Sequence, residues 1–222
     1  MRIESKYNIP IDKKQFIIND LYTLGFTKDS FCNDGTYKVN SIYFDDLNFS
    51  DYFDKLNGIY KRKKIRFRFY GYNFSTLNLE VKHKLGIFSW KKIKVFTSDD
   101  YEDYIKNRSG KINDYFASHF NEYLEPKIFI SYNRYALANN FLNQRVTFDA
   151  DLSWHANLKC ADLNKIIKYP FSYNYPQMNI LELKLNNLYS DSLSSLIKKY
   201  NLKWIENSKY EIALSNFMNI LL

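Results

Sequence analysis

With 222 residues, 45% of them hydrophobic and 18% aromatic, the chain has the apolar content of one large folded domain spanning 1–222, which excludes a disordered polypeptide. Its 32 Lys and Arg against 24 Asp and Glu give a formal charge of +8, so the expected partner is anionic: nucleic acid, an acidic membrane surface or phosphate. Cys32 and Cys160 fit no metal-ligand spacing, no amino-terminal secretory pattern is read, and no apolar run approaches the roughly 20 residues of a bilayer span. The expected setting is therefore the reduced cytoplasm, with any membrane met at its surface or through a separately encoded membrane-protein partner.

Residues 2–8 alternate, Glu4 and Lys6 against Ile3 and Tyr7, as a first strand does. Pro10 ends it, and Asp12 followed by Gln15 reads as the cap of a helix running to Leu24 and stopped by Gly25. A second strand is expected over 37–45, then a short helical turn from Phe49 to Leu56 ending at Gly58. The stretch 61–71 is the most regular in the chain: Arg62, Lys64, Arg66 and Arg68 fall on one face of a strand, Ile65, Phe67 and Phe69 on the other. Residues 77–84 repeat the pattern, with Glu80, Lys82 and Lys84 opposite Leu79 and Val81. Gly86 separates this strand from 88–96, which carries Lys91, Lys92 and Lys94. Two helices are expected next, one capped by Ser98-Asp99-Asp100 and one over 111–123. Strands follow at 127–138, containing Arg134, and at 145–149, where Arg145, Thr147 and Asp149 oppose Val146 and Phe148. No element is read over 152–170. Residues 180–185 form a leucine-rich strand from which Glu182 and Lys184 project together. The remainder reads as helical, with Leu193, Leu196, Ile197 and Tyr200 on one face and a last apolar helix after Ser208-Lys209-Tyr210.

Five or six strands thus offer one charged and one apolar face. An α+β fold built on an antiparallel barrel of reversed polarity accommodates both: helices cover the apolar faces from outside, and the charges line an internal tunnel. Interior cations are costly unless matched, and Glu4, Glu80, Asp149 and Glu182 match only part of them. A long, thin, highly negative ligand such as a triphosphate or polyphosphate would match the remainder. Arg forks fit phosphoryl oxygens, and each charged hydrogen bond contributes about 1.5–3 kcal/mol. The carboxylates suit a hard divalent cation, Mg or Mn, shared with substrate phosphates. Metal-dependent phosphoryl transfer fits this pattern better than a nucleic-acid groove, and no nucleic-acid partner is expected.

The ordered set Arg-Phe-Arg-Phe-Tyr-Gly (66–71), Leu-Glu-Val-Lys (79–82), Ser-Tyr-Asn-Arg (131–134), Arg-Val-Thr-Phe-Asp (145–149), Leu-Glu-Leu-Lys (181–184) and Ser-Lys-Tyr (208–210) resembles the VTC domain. That is the polyphosphate polymerase branch of the CYTH-like triphosphate tunnel metalloenzymes. Ser-Ile-Tyr-Phe-Asp at 41–45 and the spacing of Tyr52, Lys55 and Gly58 fit it too. The resemblance implies a tunnel in which basic side chains grip phosphates and a glutamate holds a divalent metal. The terminal phosphoryl group of a nucleoside triphosphate, ATP by expectation, then passes to a growing polyphosphate. Carried over by motif, Arg66, Arg68, Lys82, Arg134 and Arg145 would hold phosphate, Glu182 the metal, and Lys209 the reacting phosphate. Arg66, Arg68, Lys82 and Lys209 are thereby the catalytic candidates. Lys6, Lys64, Lys92 and Lys184 join the substrate contacts, and Glu80, Asp149 and Glu4 are alternative metal ligands. Two departures stand out: Ile-Glu-Ser-Lys (3–6) is a reduced form of the superfamily's alternating glutamates, and Lys91, Lys92 and Lys94 replace a more usual Lys/Arg pair.

Other readings stay open at this point. Water as acceptor gives a tripolyphosphatase or nucleoside triphosphatase of the same superfamily. A non-catalytic module binding polyphosphate or inositol phosphate is a third possibility, although it has no need of Glu182. Asp149 reads either as a metal ligand or as the partner of a neighbouring Arg; Arg62 and Lys64 lie at the tunnel mouth or in solvent, and Lys61 and Lys63 read as solvated. His83, His119 and His155 share no triad or metal spacing. There is no P-loop and no Gly-x-Gly-x-x-Gly, so phosphate recognition rests on side chains.

Overall fold

The alternation read in the sequence is realised strand by strand. The computed structural model describes residues 3–32, 35–86, 88–156, 162–168, 173–175, 179–185, 191–206 and 208–221. The first half of the chain forms β1 (Ile3–Asn8), α1 (Lys14–Thr23), β2 (Thr27–Lys28), β3 (Tyr37–Asp45), α2 (Ser50–Leu56), β4 (Lys61–Tyr70), β5 (Asn73–Leu85), β6 (Phe88–Thr97), α3 (Ser98–Asn107) and α4 (Gly110–His119). The second half adds β7 (Glu125–Asn139), β8 (Gln144–His155), α5 (Leu163–Lys168), β9 (Tyr173–Tyr175), β10 (Ile180–Leu185), α6 (Asp191–Lys199), β11 (Lys203–Trp204) and α7 (Lys209–Leu221). The sheet pairings are antiparallel, and helices pack on the apolar strand faces.

Several boundaries differ from expectation for local reasons. The Asp12 cap does not form: Ile11–Lys13 is a 3-10 turn, Lys13 stands at the N-cap of α1 without a side-chain bond, and the Lys14 N–H, which an Asp12 cap would serve, is already taken by the Ile11 carbonyl. The cap of α3 is Thr97, which accepts the Asp100 N–H while the Asp100 carboxylate accepts the Thr97 N–H. Gly25 does end α1, at φ +79°, where a left-handed residue is needed to close the helix. α4 stops at His119 because Phe120 turns to an extended backbone. β8 continues to His155 through residues where no element was read; Asp151 at φ +55° interrupts the run, and Ser153 and His155 are buried on it with Leu152 and Trp154, which hides the alternation.

The chain forms two compact units. One comprises Met1–Lys38, Tyr132–Leu152 and Tyr175–Asn207. Its strands run β11-β1-β10-β8 and on to the second half of β7, with β2 on β7. Ile17, Ile18 and Leu21 of α1 and Leu193 and Leu196 of α6 cover Tyr7, Val146, Phe148, Leu181, Leu183 and Leu185. Each such aliphatic contributes about 1.5–3 kcal/mol on burial.

The other unit comprises Val39–Ser131, Ser153–Asn174 and Ser208–Leu222. Its strands run from the first half of β7 through β3, β4 and β5 to β6. Ile42, Phe44, Ile65, Phe67, Leu79 and Val81 lie under Tyr101 and Tyr104 of α3, Ile112 and Phe116 of α4, and Leu163 and Ile166 of α5. In both units the helices therefore take the apolar strand face and leave the opposite face to the charges. Among the described residues no helix is long and apolar enough to cross a membrane.

Candidate functional site

The β4–β5 register places Arg66 opposite Glu80, Arg68 opposite Asn78 and Lys64 opposite Lys82. β6 adds Lys91 opposite Lys82. Cross-strand partners share a face, so these side chains meet on one surface. Glu80, 4% exposed, is their hub. Arg66 donates to its Oε2 from Nε at 2.8 Å and Nη2 at 2.6 Å, Arg68 Nη1 lies 3.5 Å from the same oxygen, and Lys91 Nζ donates to Oε1 at 2.7 Å. Burial pushes the Glu80 carboxyl up, but Arg66, Arg68 and Lys91 outweigh it and hold the group far below the usual carboxylate range. Three cations thus face one carboxylate whose two oxygens are both engaged.

Tyr43 extends the cluster. Its hydroxyl accepts from Arg66 Nη1 at 2.8 Å, and its buried ring stacks on Tyr210 with centroids 4.9 Å apart. Burial alone would raise this hydroxyl's pKa; Arg66, Arg68 and Lys209 reverse that, and the net shift is downward. The charge of Lys209 therefore acts on the same atom as the two arginines. Lys64 Nζ donates to Ser208 Oγ at 2.6 Å, which brings the Ser-Lys-Tyr segment, and with it the start of α7, to this face.

Two sequence expectations need correction here. Lys92 sits opposite Val81, not on the Glu80 face, and with burial its charge depresses the pKa of His83 on that other side; Lys91 takes the place expected for it. Lys63 is not solvated: having the parity of the apolar face, it lies between Asp51, at 3.3 Å, and Glu122. Burial drives the Asp51 carboxyl up to about 7, against the pull of Lys63.

In the other unit β10 lies between β1 and β8. Glu182 faces Lys6 and Thr147, and Lys184 faces Glu4 and Arg145, so the charged face expected for these strands is formed. Arg134, 6% exposed, forks onto Asp149 from Nε at 2.6 Å and Nη2 at 2.7 Å. This favours the ion-pair reading of Asp149 over the metal-ligand one. Glu182 is held more loosely, by Arg134 Nη2 and Thr147 Oγ1 at 3.4 Å each and Lys184 Nζ at 3.5 Å. The Glu4 carboxyl hydrogen-bonds it as well. Burial pushes Glu182 up, yet Lys184, the Glu4 bond, Lys6 and Arg134 together hold it well below the usual range. Arg145 Nη2 is 2.9 Å from Asp29 and donates to Tyr37 Oη at 3.3 Å.

Among the described residues no three His, Cys, Asp or Glu side chains converge as a ready cation cage. Of the four carboxylates, Glu182 and Glu4 would suit a divalent ion best, because Glu80 and Asp149 have each oxygen bound by a cation at 2.6–2.7 Å, whereas the cation contacts of Glu182 are 3.4–3.5 Å long. A two-carboxylate set completed by substrate phosphates and water is what Mg or Mn accepts. The residues that sequence reasoning did not single out are Tyr43, Tyr210 and Asp29. Tyr43 and Tyr210 lie in the 41–45 and 208–210 motifs, which assign them no role.

The strands and the charge clusters define an α+β protein whose antiparallel strands carry buried, cation-rich groups on one face and helices on the other. The chain belongs to the VTC domain family, whose model matches residues 1–218. Among solved structures it is similar to a Bacillus halodurans protein named as a candidate adenylate cyclase, with a TM-score of 0.57 and 11% identity over 94% of each chain. It is also similar to the PH1819 protein of Pyrococcus horikoshii OT3, with a TM-score of 0.51 and 10% identity over 97% of this chain and 99% of that one. At these identities the likeness is one of fold, and it is the fold that the motifs implied. No curated protein matches the chain at a significant level.

Proposed function

We propose that the chain transfers the terminal phosphoryl group of a nucleoside triphosphate, ATP in the first instance, to a growing inorganic polyphosphate. The observation that carries this reading is the cation excess around Glu80: Arg66, Arg68 and Lys91 on one carboxylate, with Lys82 on the same face and the Lys209 charge at Tyr43. Partly buried cations in that excess are best matched by an anion of many oxygens. Family membership and fold support triphosphate chemistry.

Phosphoryl transfer asks the protein mainly for positioning and for charge opposite the transferring oxygens. Arg66, Arg68, Lys82 and Lys209 serve that role in this reading, with Lys64 and Lys91 beside them. In the other unit Lys6, Lys184 and Arg145 hold further phosphates, while Arg134 organises Asp149 and Glu182. Glu182 and Glu4 would hold the divalent ion, Mg or Mn, which when bound supplies Lewis-acid stabilisation of phosphoryl charge. A phosphate-chain acceptor is already anionic and needs cations, whereas a hydrolase needs a base to orient water. No histidine enters either cluster: His83 stacks on Trp90, His119 stacks on Tyr115 and His155 bonds the Ile166 carbonyl.

The test is product analysis. Purified protein with ATP and Mn or Mg is expected to yield ADP and acid-labile chains longer than triphosphate on a gel, with a shorter lag when short polyphosphate primers are added. Orthophosphate as the only product would make the chain a hydrolase, and tight phosphate binding without any turnover would make it a binding module.

A further inference from the structure

Asp45, at the end of β3, is 1% exposed. Its Oδ1 accepts the N–H groups of Asp46 at 2.9 Å and Asp51 at 3.0 Å, and its Oδ2 accepts the N–H of Tyr52 at 3.1 Å and the phenolic O–H of Tyr210 at 2.7 Å. With three backbone N–H groups aimed at it, the carboxylate accepts and Tyr210 donates. One side chain thereby satisfies the first turn of α2 and holds the first turn of α7. Ser208, on the other side of Lys209 in sequence, is held by Lys64. Lys209 is bracketed by two anchored neighbours, and a long flexible ammonium stem reaches a fixed point only from a fixed backbone.

We propose that the Asp45–Tyr210 hydrogen bond is a positioning device for phosphate binding. It fixes the start of α7 so that Lys209 meets a phosphate held by Arg66 and Arg68, while Tyr210 itself touches no substrate. The inference rests on the phosphate-binding reading of the Glu80 cluster and is indifferent to whether the acceptor is phosphate or water. Tyr210→Phe removes only the O–H; the ring stack on Tyr43 has the same atoms available. A control exists on the same pair of helices: Tyr52 Oη and Ser215 Oγ, 2.8 Å apart, tie α2 to α7 further along the helix, so Tyr52→Phe loosens the pair without releasing the first turn.

Calorimetric titration of the full chain with inorganic tripolyphosphate, in metal-free buffer and with melting curves to verify folding, tests this directly. Tyr210→Phe is expected to weaken binding about fivefold to tenfold, and Lys209→Ala about tenfold or more, the range of one charged hydrogen bond. The double variant is expected to bind no more weakly than Lys209→Ala alone, because Tyr210 acts through Lys209. Tyr52→Phe should bind like the parent. Multiplying losses in the double variant, unchanged affinity in Tyr210→Phe, or an equal loss in Tyr52→Phe would each overturn the proposal while leaving the phosphate site in place. Failure of the parent chain to bind tripolyphosphate would instead sink the phosphate-binding reading and the positioning role with it.

Discussion

Replacing Glu80 by Gln sets folding and substrate binding against each other. The carboxylate is 4% exposed and receives two bonds from Arg66, a 3.5 Å contact from Arg68 and a bond from Lys91. Removing one member of a buried ion pair and leaving the others uncompensated costs about 3–5 kcal/mol. Lys91 contributes little to that figure because its side chain is 39% exposed and screened, so the estimate rests on the two arginines. In a domain of this size each kcal/mol moves the melting temperature by about 2–4 °C, so the variant is expected to melt roughly 6–20 °C lower. The same change leaves the cations unneutralised for phosphate. Tripolyphosphate should therefore bind the variant more tightly than the parent and recover much of the lost stability, since a ligand that binds only the folded state stabilises it by mass action. Melting curves with and without tripolyphosphate, together with titration calorimetry, read both quantities. A smaller ligand-induced shift in the variant than in the parent would refute the reasoning, because Glu80 would then be helping to hold the substrate.

Arg134→Ala leaves Asp149 and Glu182 buried without their guanidinium, and denaturant unfolding at pH 7 is expected to show a loss of about 3–5 kcal/mol; a loss below about 1 kcal/mol, the scale of a surface pair, would contradict the buried-fork description. Glu182→Ala should abolish metal-stimulated turnover and leave tripolyphosphate binding measurable, whereas metal stimulation that survives would move the ion away from Glu182. Asp51 supplies a pH test. Its carboxyl is raised by burial from 3.8 to about 7, so between those values the folded state keeps a proton that the unfolded state has released, and stability falls as pH rises through this window. Asp51→Asn should accordingly gain on the parent as pH rises from 5 to 7, by about 3 kcal/mol, and a stability difference independent of pH would show that Asp51 does not titrate there. Glu80 and Glu182 work in the opposite sense: their lowered values give stability that is present above pH 4.5 and is lost on acidification.

Face parity makes much of the site legible in the sequence. Arg66, Arg68 and Glu80, and likewise Arg134, Asp149 and Glu182, are found together because strand side chains alternate and apolar faces must be covered. What parity cannot supply is register between strands. Among Lys91, Lys92 and Lys94 only the pairing with β5 decides which faces Glu80, and it selects Lys91. Lys63 has the parity of the apolar face, so its partners Asp51 and Glu122 come from other elements that no local pattern links to it. The Asp12 cap failed because a competing 3-10 turn had already satisfied the Lys14 N–H it was meant to serve. Tyr43 and Tyr210 stand in the 41–45 and 208–210 motifs, but their roles show only in the tertiary contacts that bring Arg66 to one and Asp45 to the other.

The central claim is that the terminal phosphate of a nucleoside triphosphate moves onto another phosphate. Following label from the terminal position of ATP, with ADP, orthophosphate and acid-labile chains separated at each time, measures that transfer most directly. The account predicts one labelled phosphate in chains for each ADP formed, and loss of both in Arg66→Ala. Label recovered only as orthophosphate, at every primer and metal concentration, would contradict it.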